Sequence, residues 1–342
     1  MALMDELPAD VVDLLRMTSF AEFATISSEG VPIDTPLLSF PEPDLSTIAM
    51  ATGLAYPVKA ERARRNPKVG LLFYPRRAGE PVVQIIGRAA VRDSDIQGNL
   101  LRYLSETGYV APEVPWALRR QAVWYWARIL IEIRPVEICW WAGVHALDRP
   151  PQVWRAPDST HYPASDPAPA GRSTAAPKWQ QPEWQAAARS NIAAGYPACV
   201  TLVDEEGYPR IMHARAPRLC DTGLVFTLPD GAPGPRAGKA SLTYFGRDTF
   251  IGEIARGTDG LHLNVERTLP VLPMVANPDN TWNPPAALKT SLMERLTGEL
   301  ARRGQALPTV PEHPPELTEG AKLRALGDRN GADEALFEGS AR

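Results

Sequence analysis

Apolar and polar residues alternate over six stretches in the first 140 residues, at about 22–28, 32–40, 46–52, 68–75, 81–92 and 127–138. A period of two predicts β-strands with one face buried. Between the strands the period lengthens. Residues 8–17, introduced by Pro8 and Asp10, predict a short amphipathic helix. The segment PVKAERARRNP predicts a basic helix closed at Asn66-Pro67, because the residue before a proline disfavours helical backbone. Two further helical stretches, about 94–106 and 114–126, separate the fifth and sixth strands. A β-meander with helical excursions predicts a closed antiparallel barrel in preference to a doubly wound sheet.

The pattern then returns. FATISSEGVPIDTP (23–36) is matched by CVTLVDEEGYPRIMHARA (199–216), with Gly30 on Gly207 at an offset of 177. KVGLLFYP (68–75) pairs with KASLTYFG (239–246) at an offset of 171, and QIIGRA (84–89) with GEIARG (252–257) at 168. The order is kept while the offset shrinks, as expected of duplicated domains of which one has lost loop residues. The fold class expected is mainly β (α+β): two tandem split β-barrels with helical excursions and a C-terminal helical tail. The punctuation places a first barrel at 1–149, a Pro/Ala-rich linker at 150–180, a second barrel at 181–278 and a helical extension at 279–342. Within that extension, 285–304 has helical apolar spacing, with Gly304 as a C-terminal stop.

Composition narrows the function classes. A net charge of −4 and a pI near 5.8 give no basic footprint for nucleic acid. No apolar run approaches the roughly 20 residues of a membrane span. The start, MALMDELPADVVDLLRM, carries acids where a secretory signal has a basic region. Three cysteines, Cys139, Cys199 and Cys220, lack CxxC spacing and fit reduced thiols in a cytoplasmic protein. The five histidines show no zinc spacing, and GxSxG, P-loop and GxGxxG signatures are absent.

With those segments in view, FATISSEGVPIDTP, MATGLAYPVKAERARRNPKVGLLFYP and VVQIIGRAAV resemble the pyridoxamine 5′-phosphate oxidase-like family of flavin-binding split barrels. The resemblance covers most of 19–149 and, more weakly, 184–275. It implies an FMN-dependent oxidoreductase acting on a small organic molecule, with the cofactor between two barrels packed as an intrachain pseudo-dimer. Homodimers are also compatible. It further implies cofactor contacts from Thr35, Thr52, Tyr56, Lys59, Trp141, Arg149 and His213. Lys59 falls where the family carries a basic side chain onto the flavin phosphate, although Pro57-Val58 stand where Ser-Arg often precedes that lysine. RPVEICWWAGVHALDR (134–149) resembles the closing segment of the true oxidases, which puts Trp141 against the ring and Arg149 on the cofactor. Its spacer is two residues shorter and the substrate-binding Arg-x-His is not reproduced, which argues against vitamin B6 oxidation. A deazaflavin is an alternative cofactor.

Plainer readings stay open beside this one. Lys59 and the arginines at 62, 64 and 65 also fit the solvated face of a basic helix. One of Trp140 and Trp141 must face a core. His145 and His213 fit satisfied polar residues, or an iron ligand if the barrel binds haem, and a cofactor-free barrel with a binding or sequestering role is the remaining alternative. In the second copy GAPGPRAGK (231–239) replaces the lysine-bearing helix, so phosphate is expected near Lys59 in preference to Arg236.

Overall fold

The computed structural model describes residues 3–75, 77, 79–174, 181–245, 247–270 and 277–331. The end of the linker (175–180), the exit from the second barrel (271–276) and the last tail residues (332–342) lie outside the described residues. The strands of the first half are β1 (Phe20–Ile26), β2 (Pro32–Pro41), β3 (Ile48–Gly53), β4 (Lys68–Phe73), β5 (Val82–Arg92) and β6 (Arg128–Trp141). All pair antiparallel in the order β3-β2-β1-β4-β5-β6, and β3 pairs β6 to close the barrel. The second half supplies β8 (Ala198–Val203), β9 (Pro209–Cys220), β10 (Gly223–Thr227), β11 (Gly238–Tyr244), β12 (Thr249–Arg256) and β13 (Leu261–Thr268). Their order, β10-β9-β8-β11-β12-β13 with β13 returning to β10, repeats that of the first barrel strand for strand.

The duplication extends to single hydrogen bonds. In the first hairpin Ser27 N–H donates to Val31 O (2.8 Å) and Gly30 N–H to Ser27 O (3.1 Å). In the second, Asp204 N–H donates to Tyr208 O (2.9 Å) and Gly207 N–H to Asp204 O (2.9 Å). Gly30 and Gly207 have φ of 76° and 82°, a left-handed conformation that a side chain disfavours.

Helix α1 (Ala9–Met17) precedes the first barrel, and α2 (Val58–Arg65) and α3 (Ile96–Thr107) lie where the periodicity places them. The stretch at 114–126 forms two short helices instead, α4 (Trp116–Arg119) and α5 (Val123–Trp126). Trp126 Nε1–H donates to Arg119 O (2.7 Å), and its buried ring anchors the break between them. The linker is held down over much of its length. Its β7 (Gln152–Arg155) adds to β6, and the Asp166 carboxylate accepts from the N–H groups of Asp93 and Ser94, at 2.9 Å each. Beyond it come α6 (Trp184–Ala193), α7 (Ala286–Arg302) and α8 (Glu319–Gly331). Leu292, Leu296 and Leu300, four residues apart on one face of α7, complete the core of the first barrel. Helix α8 lies against α1. Among the described residues no helix is long and apolar enough to cross a membrane.

The two barrels meet face to face. Six of the seven residues of β1 are buried, although alternation predicts one solvated face. Ala21 and Phe23 point into the barrel core, whereas Ala24 joins Leu72, Val82, Cys139 and Trp141 against Cys199 and Ile211 of the second barrel. The backbones approach closely where β4 crosses β9: a Cβ on Gly70 would stand 2.1 Å from Pro209 O. Polar bonds close the edges of this seam. Arg210 Nη1 meets Glu137 Oε1 at 2.6 Å, and Gln84 Nε2–H donates to Ile211 O. Lys239 Nζ donates to Glu29 O at 2.8 Å.

Candidate functional site

Strand β3 ends at Gly53 and the chain turns sharply into α2. Leu54 N–H donates to Ala127 O (2.9 Å), Tyr56 N–H to Gly53 O (2.9 Å), and Thr52 Oγ1–H to Tyr56 O (3.4 Å). Pro57 at the head of α2 offers no side-chain cap, so the positive end of the helix dipole is left for an outside acceptor. Four cations gather around this turn. Lys59 and Arg62 come from α2, Arg128 from the first position of β6, and Arg267 from β13 of the other barrel. None of the four has a carboxylate within ion-pair distance among the described residues.

Their mutual repulsion leaves a mark on titration. Burial pushes the half-buried Lys59 ammonium down to about 8, and Arg62 and Arg128 push it further than Glu22 and Asp34 pull it back. Arg62 falls to about 10, first through burial and then through Arg267 and Arg65. The Arg128 guanidinium lies between the rings of Tyr103 and Tyr125, 4.4 and 4.3 Å from their centroids, in a cation–π clamp. Its Nε is buried without a hydrogen-bond partner among the described residues, and its Nη1 lies 3.4 Å from the Cβ position of Gly53. Buried donors are normally satisfied.

Beneath the cations lie two acids, Glu22 on β1 and Asp34 on β2, neither with any exposed surface. Asp34 hydrogen-bonds Glu22, accepts from the Thr35 N–H and, at 3.4 Å, from Thr201 Oγ1 across the seam. Its backbone carbonyl accepts from Thr243 and Thr249 of the second barrel, at 3.4 Å each. Burial pushes the Asp34 carboxyl up to about 7, against smaller opposing effects of these hydrogen bonds and of Lys59. The pair therefore retains a proton close to neutrality.

The residues singled out from sequence divide into two groups. Thr52, Tyr56 and Lys59 lie on the turn into α2, with Thr35 beside Asp34 on the adjoining strand. The Tyr56 ring stacks under Arg295 of α7, 5.2 Å from its guanidinium, and burial raises its hydroxyl to about 12. Trp141, Arg149 and His213 stand with the loop of the second barrel, 228–237. Trp141 and His213 line one small cavity with Pro229, Ala232 and Pro233. Trp141 Nε1–H donates to Arg149 O (3.0 Å), the carbonyl that a Cβ on Gly231 would meet at 1.9 Å; the Arg149 side chain is exposed. Both tryptophans of the pair are buried, Trp140 in the barrel core and Trp141 in the seam. His145 is exposed on a single 3-10 turn, and the described residues hold no cluster of three metal-ligating side chains. Arg236 donates to Ala232 O (2.8 Å) and Gly234 O (2.7 Å), which turns it back onto its own loop.

Arg128, Arg267, Glu22 and Asp34 escape sequence reasoning. The two acids stand at positions that alternation assigns to solvent, and the arginines are brought to the site by pairings distant in the chain. The one local signal is Gly53, the partner of Arg128 across the β3–β6 ladder.

No protein-family profile matches the chain, and no curated protein sequence does. Solved structures do. A pyridoxamine 5′-phosphate oxidase-related, FMN-binding protein from Nostoc punctiforme is 16% identical, over 36% of this chain and 73% of that one, with a TM-score of 0.28. General stress protein 26 from Bacillus anthracis is 20% identical, over 46% of this chain and 100% of its own, with a TM-score of 0.29. An F420 reductase is 14% identical, over 39% and 98%, with a TM-score of 0.31. Each similarity spans less than half of this chain.

Proposed function

We propose that this chain is an oxidoreductase that holds a phosphorylated flavin, FMN or a deazaflavin, where the two barrels meet, and acts on a small organic molecule. One observation carries the reading: four cations from both barrels converge on an uncapped helix start, and among the described residues none of them is ion-paired to a carboxylate. A phosphate monoester, with three acceptor oxygens and nearly two negative charges near neutral pH, supplies what these donors lack. The unpartnered Arg128 Nε tests the fit and agrees with it. Lys59 and Arg62 would hold the phosphate from one barrel and Arg267 from the other. Arg128, fixed between its two tyrosines, would hold it in a set direction. The proton retained by Glu22 and Asp34 limits negative charge under the anion. The flavin ring supplies the redox chemistry, and the protein's part is binding, orientation and exclusion of water. The pseudo-dimeric packing belongs to the same proposal, because the cradle takes a residue from each barrel.

Flavin fluorescence quenching during titration of cofactor-free protein tests the reading. FMN should bind at least tenfold more tightly than riboflavin, which lacks the phosphate. Arg62→Ala and Arg128→Ala should each weaken FMN about ten- to a hundredfold, the worth of one bond to a charged group, with riboflavin unaffected. Equal affinity for FMN and riboflavin in the unmodified protein would refute a phosphate cradle here.

A further inference from the structure

The far side of the seam holds a second cavity, of about 450 Å3, bounded mainly by Tyr74, Val144, Ile192, Tyr196, Pro197 and His213. Its walls are mostly apolar, and two rings, Tyr74 and Tyr196, come from opposite barrels. Strand β9 forms its rim and is bulged there: the register against β10 shifts, and Ala216 adopts φ of 46°. A non-glycine residue in that conformation is strained, and such strain and bulges gather where a strand is turned to admit a ligand.

Its polar groups are few and ordered. Tyr74 Oη contacts Cys199 Sγ and lies 3.1 Å from His213 Nδ1. Burial holds both the Cys199 thiol and the Tyr74 hydroxyl well above their usual ranges, so both keep their protons. Tyr74 has one hydrogen for these two partners; given to His213 Nδ1, it leaves the Cys199 thiol to donate to Tyr74 Oη. Burial and the nearby Arg215 push His213 down to about 4, so its ring is neutral at physiological pH. A neutral ring that accepts at Nδ1 carries its hydrogen on Nε2. Among the described residues Nε2 has no partner.

Among the described residues Arg215 is the one charged side chain lining this cavity, and beyond the lining Arg247 lies over the Tyr196 ring at 4.7 Å and donates to its hydroxyl at 3.0 Å. Arg236 is bonded to its own loop, and Arg215 Nη1 is held by both oxygens of Asp148, at 2.6 and 2.8 Å. We propose that this cavity binds a flat, uncharged aromatic carbonyl compound, its ring between Tyr74 and Tyr196 and its oxygen accepting from His213 Nε2. This goes beyond the flavin reading and stands independently of it.

The probe for the test is prodan, a naphthalene ketone whose emission shifts to the blue in apolar surroundings and to the red when its carbonyl is hydrogen-bonded. The full chain should bind prodan saturably. Val144→Trp, which fills the mouth from an exposed turn, should weaken binding at least tenfold. His213→Phe keeps the ring volume and removes the donor; it should weaken binding about tenfold and shift the bound emission to the blue. Lys59→Ala and Arg62→Ala should leave prodan binding unchanged, so failure of the flavin reading and failure of this one are separable. Unaltered prodan affinity in Val144→Trp, no saturable binding by the unmodified chain, or unshifted emission in His213→Phe would each overturn the proposal.

Discussion

The first barrel and the second share strand order and hairpin geometry, yet they keep different company. The first is clad on the outside by α3, α7 and α8 and carries the cation-bearing α2 between β3 and β4. The second spans the equivalent gap with a loop whose arginine is bonded to that same loop, and α6 packs on it. A duplicated chain starts with two equal sites across its own two-fold axis. Here one site gathers the cations of α2, β6 and β13, and the other is a mostly apolar chamber. Once both halves lie in one chain, a substitution no longer appears twice, and the two sites can change separately. A homodimer cannot do this, because its isologous interface repeats every change.

The comparison breaks most severely where the halves touch. Arg210→Ala should destabilise the protein by about 3 kcal/mol, since it leaves the Glu137 carboxylate in the seam with the more exposed Arg155 as its remaining cation, beside the Cys139 thiol. Denaturant unfolding measures this, and a loss under 1 kcal/mol would mean that the seam is solvated. Gly70→Ala should cost about 2 kcal/mol, because its Cβ meets backbone at Pro209. Next in size is binding. Lys59→Ala should weaken FMN about tenfold and Arg236→Ala should leave it unchanged, the contrast that defines the asymmetry. Equal losses in the two variants would make the halves alike after all.

A pH series sharpens the contrast further. Asp34 has a folded-state value of about 7 against 3.8 in the unfolded chain, so its stabilising contribution is complete below about 4 and lost as pH rises towards 7. His213 acts in the opposite sense: with about 4 folded and 6.5 unfolded, its contribution is complete above 6.5 and lost as pH falls towards 4. The two windows overlap, so the wild-type profile hides both. Asp34→Asn should make melting temperature rise more steeply between pH 4 and 7 than in the wild type, whereas His213→Phe should make it fall. Parallel profiles in all three proteins would remove both assignments. The smallest effect is expected at Arg149, whose side chain is exposed: Arg149→Ala should change stability by no more than about 0.5 kcal/mol.

The barrel strands were legible because alternation survives wherever one face meets a core. It misleads on β1, where the second barrel covers the face that carries Glu22. The duplication, visible in Gly30 and Gly207, does not say which polar residues are buried where the barrels meet. Lys59 could be placed by its neighbours in sequence, being on the same turn as Thr52 and Tyr56. Arg128 could not, because its clamp is made by Tyr103 on α3 and Tyr125 on α5, and rings reach a common point only after the barrel has closed. Proline-rich composition marked 150–180 as a linker, yet hid the ties at Asp166, which depend on single hydrogen bonds instead of periodicity.

The return of α7 to the first barrel also bears on how the protein is made. Arg295 donates to Ala55 O at 2.9 Å, Arg302 reaches Glu61 at 3.4 Å, and Arg303 meets Asp93 at 2.9 Å, so the turn before α2 is latched from the far end of the chain. On the ribosome, β6 emerges about 160 residues before that latch. At roughly 5–20 residues per second, the first barrel waits on the order of ten to thirty seconds with its cation-bearing helix uncovered. A nascent chain that stalls in the second barrel has neither Arg267 nor the α7 contacts, so the surroundings of α2 are completed only once α7 has been made.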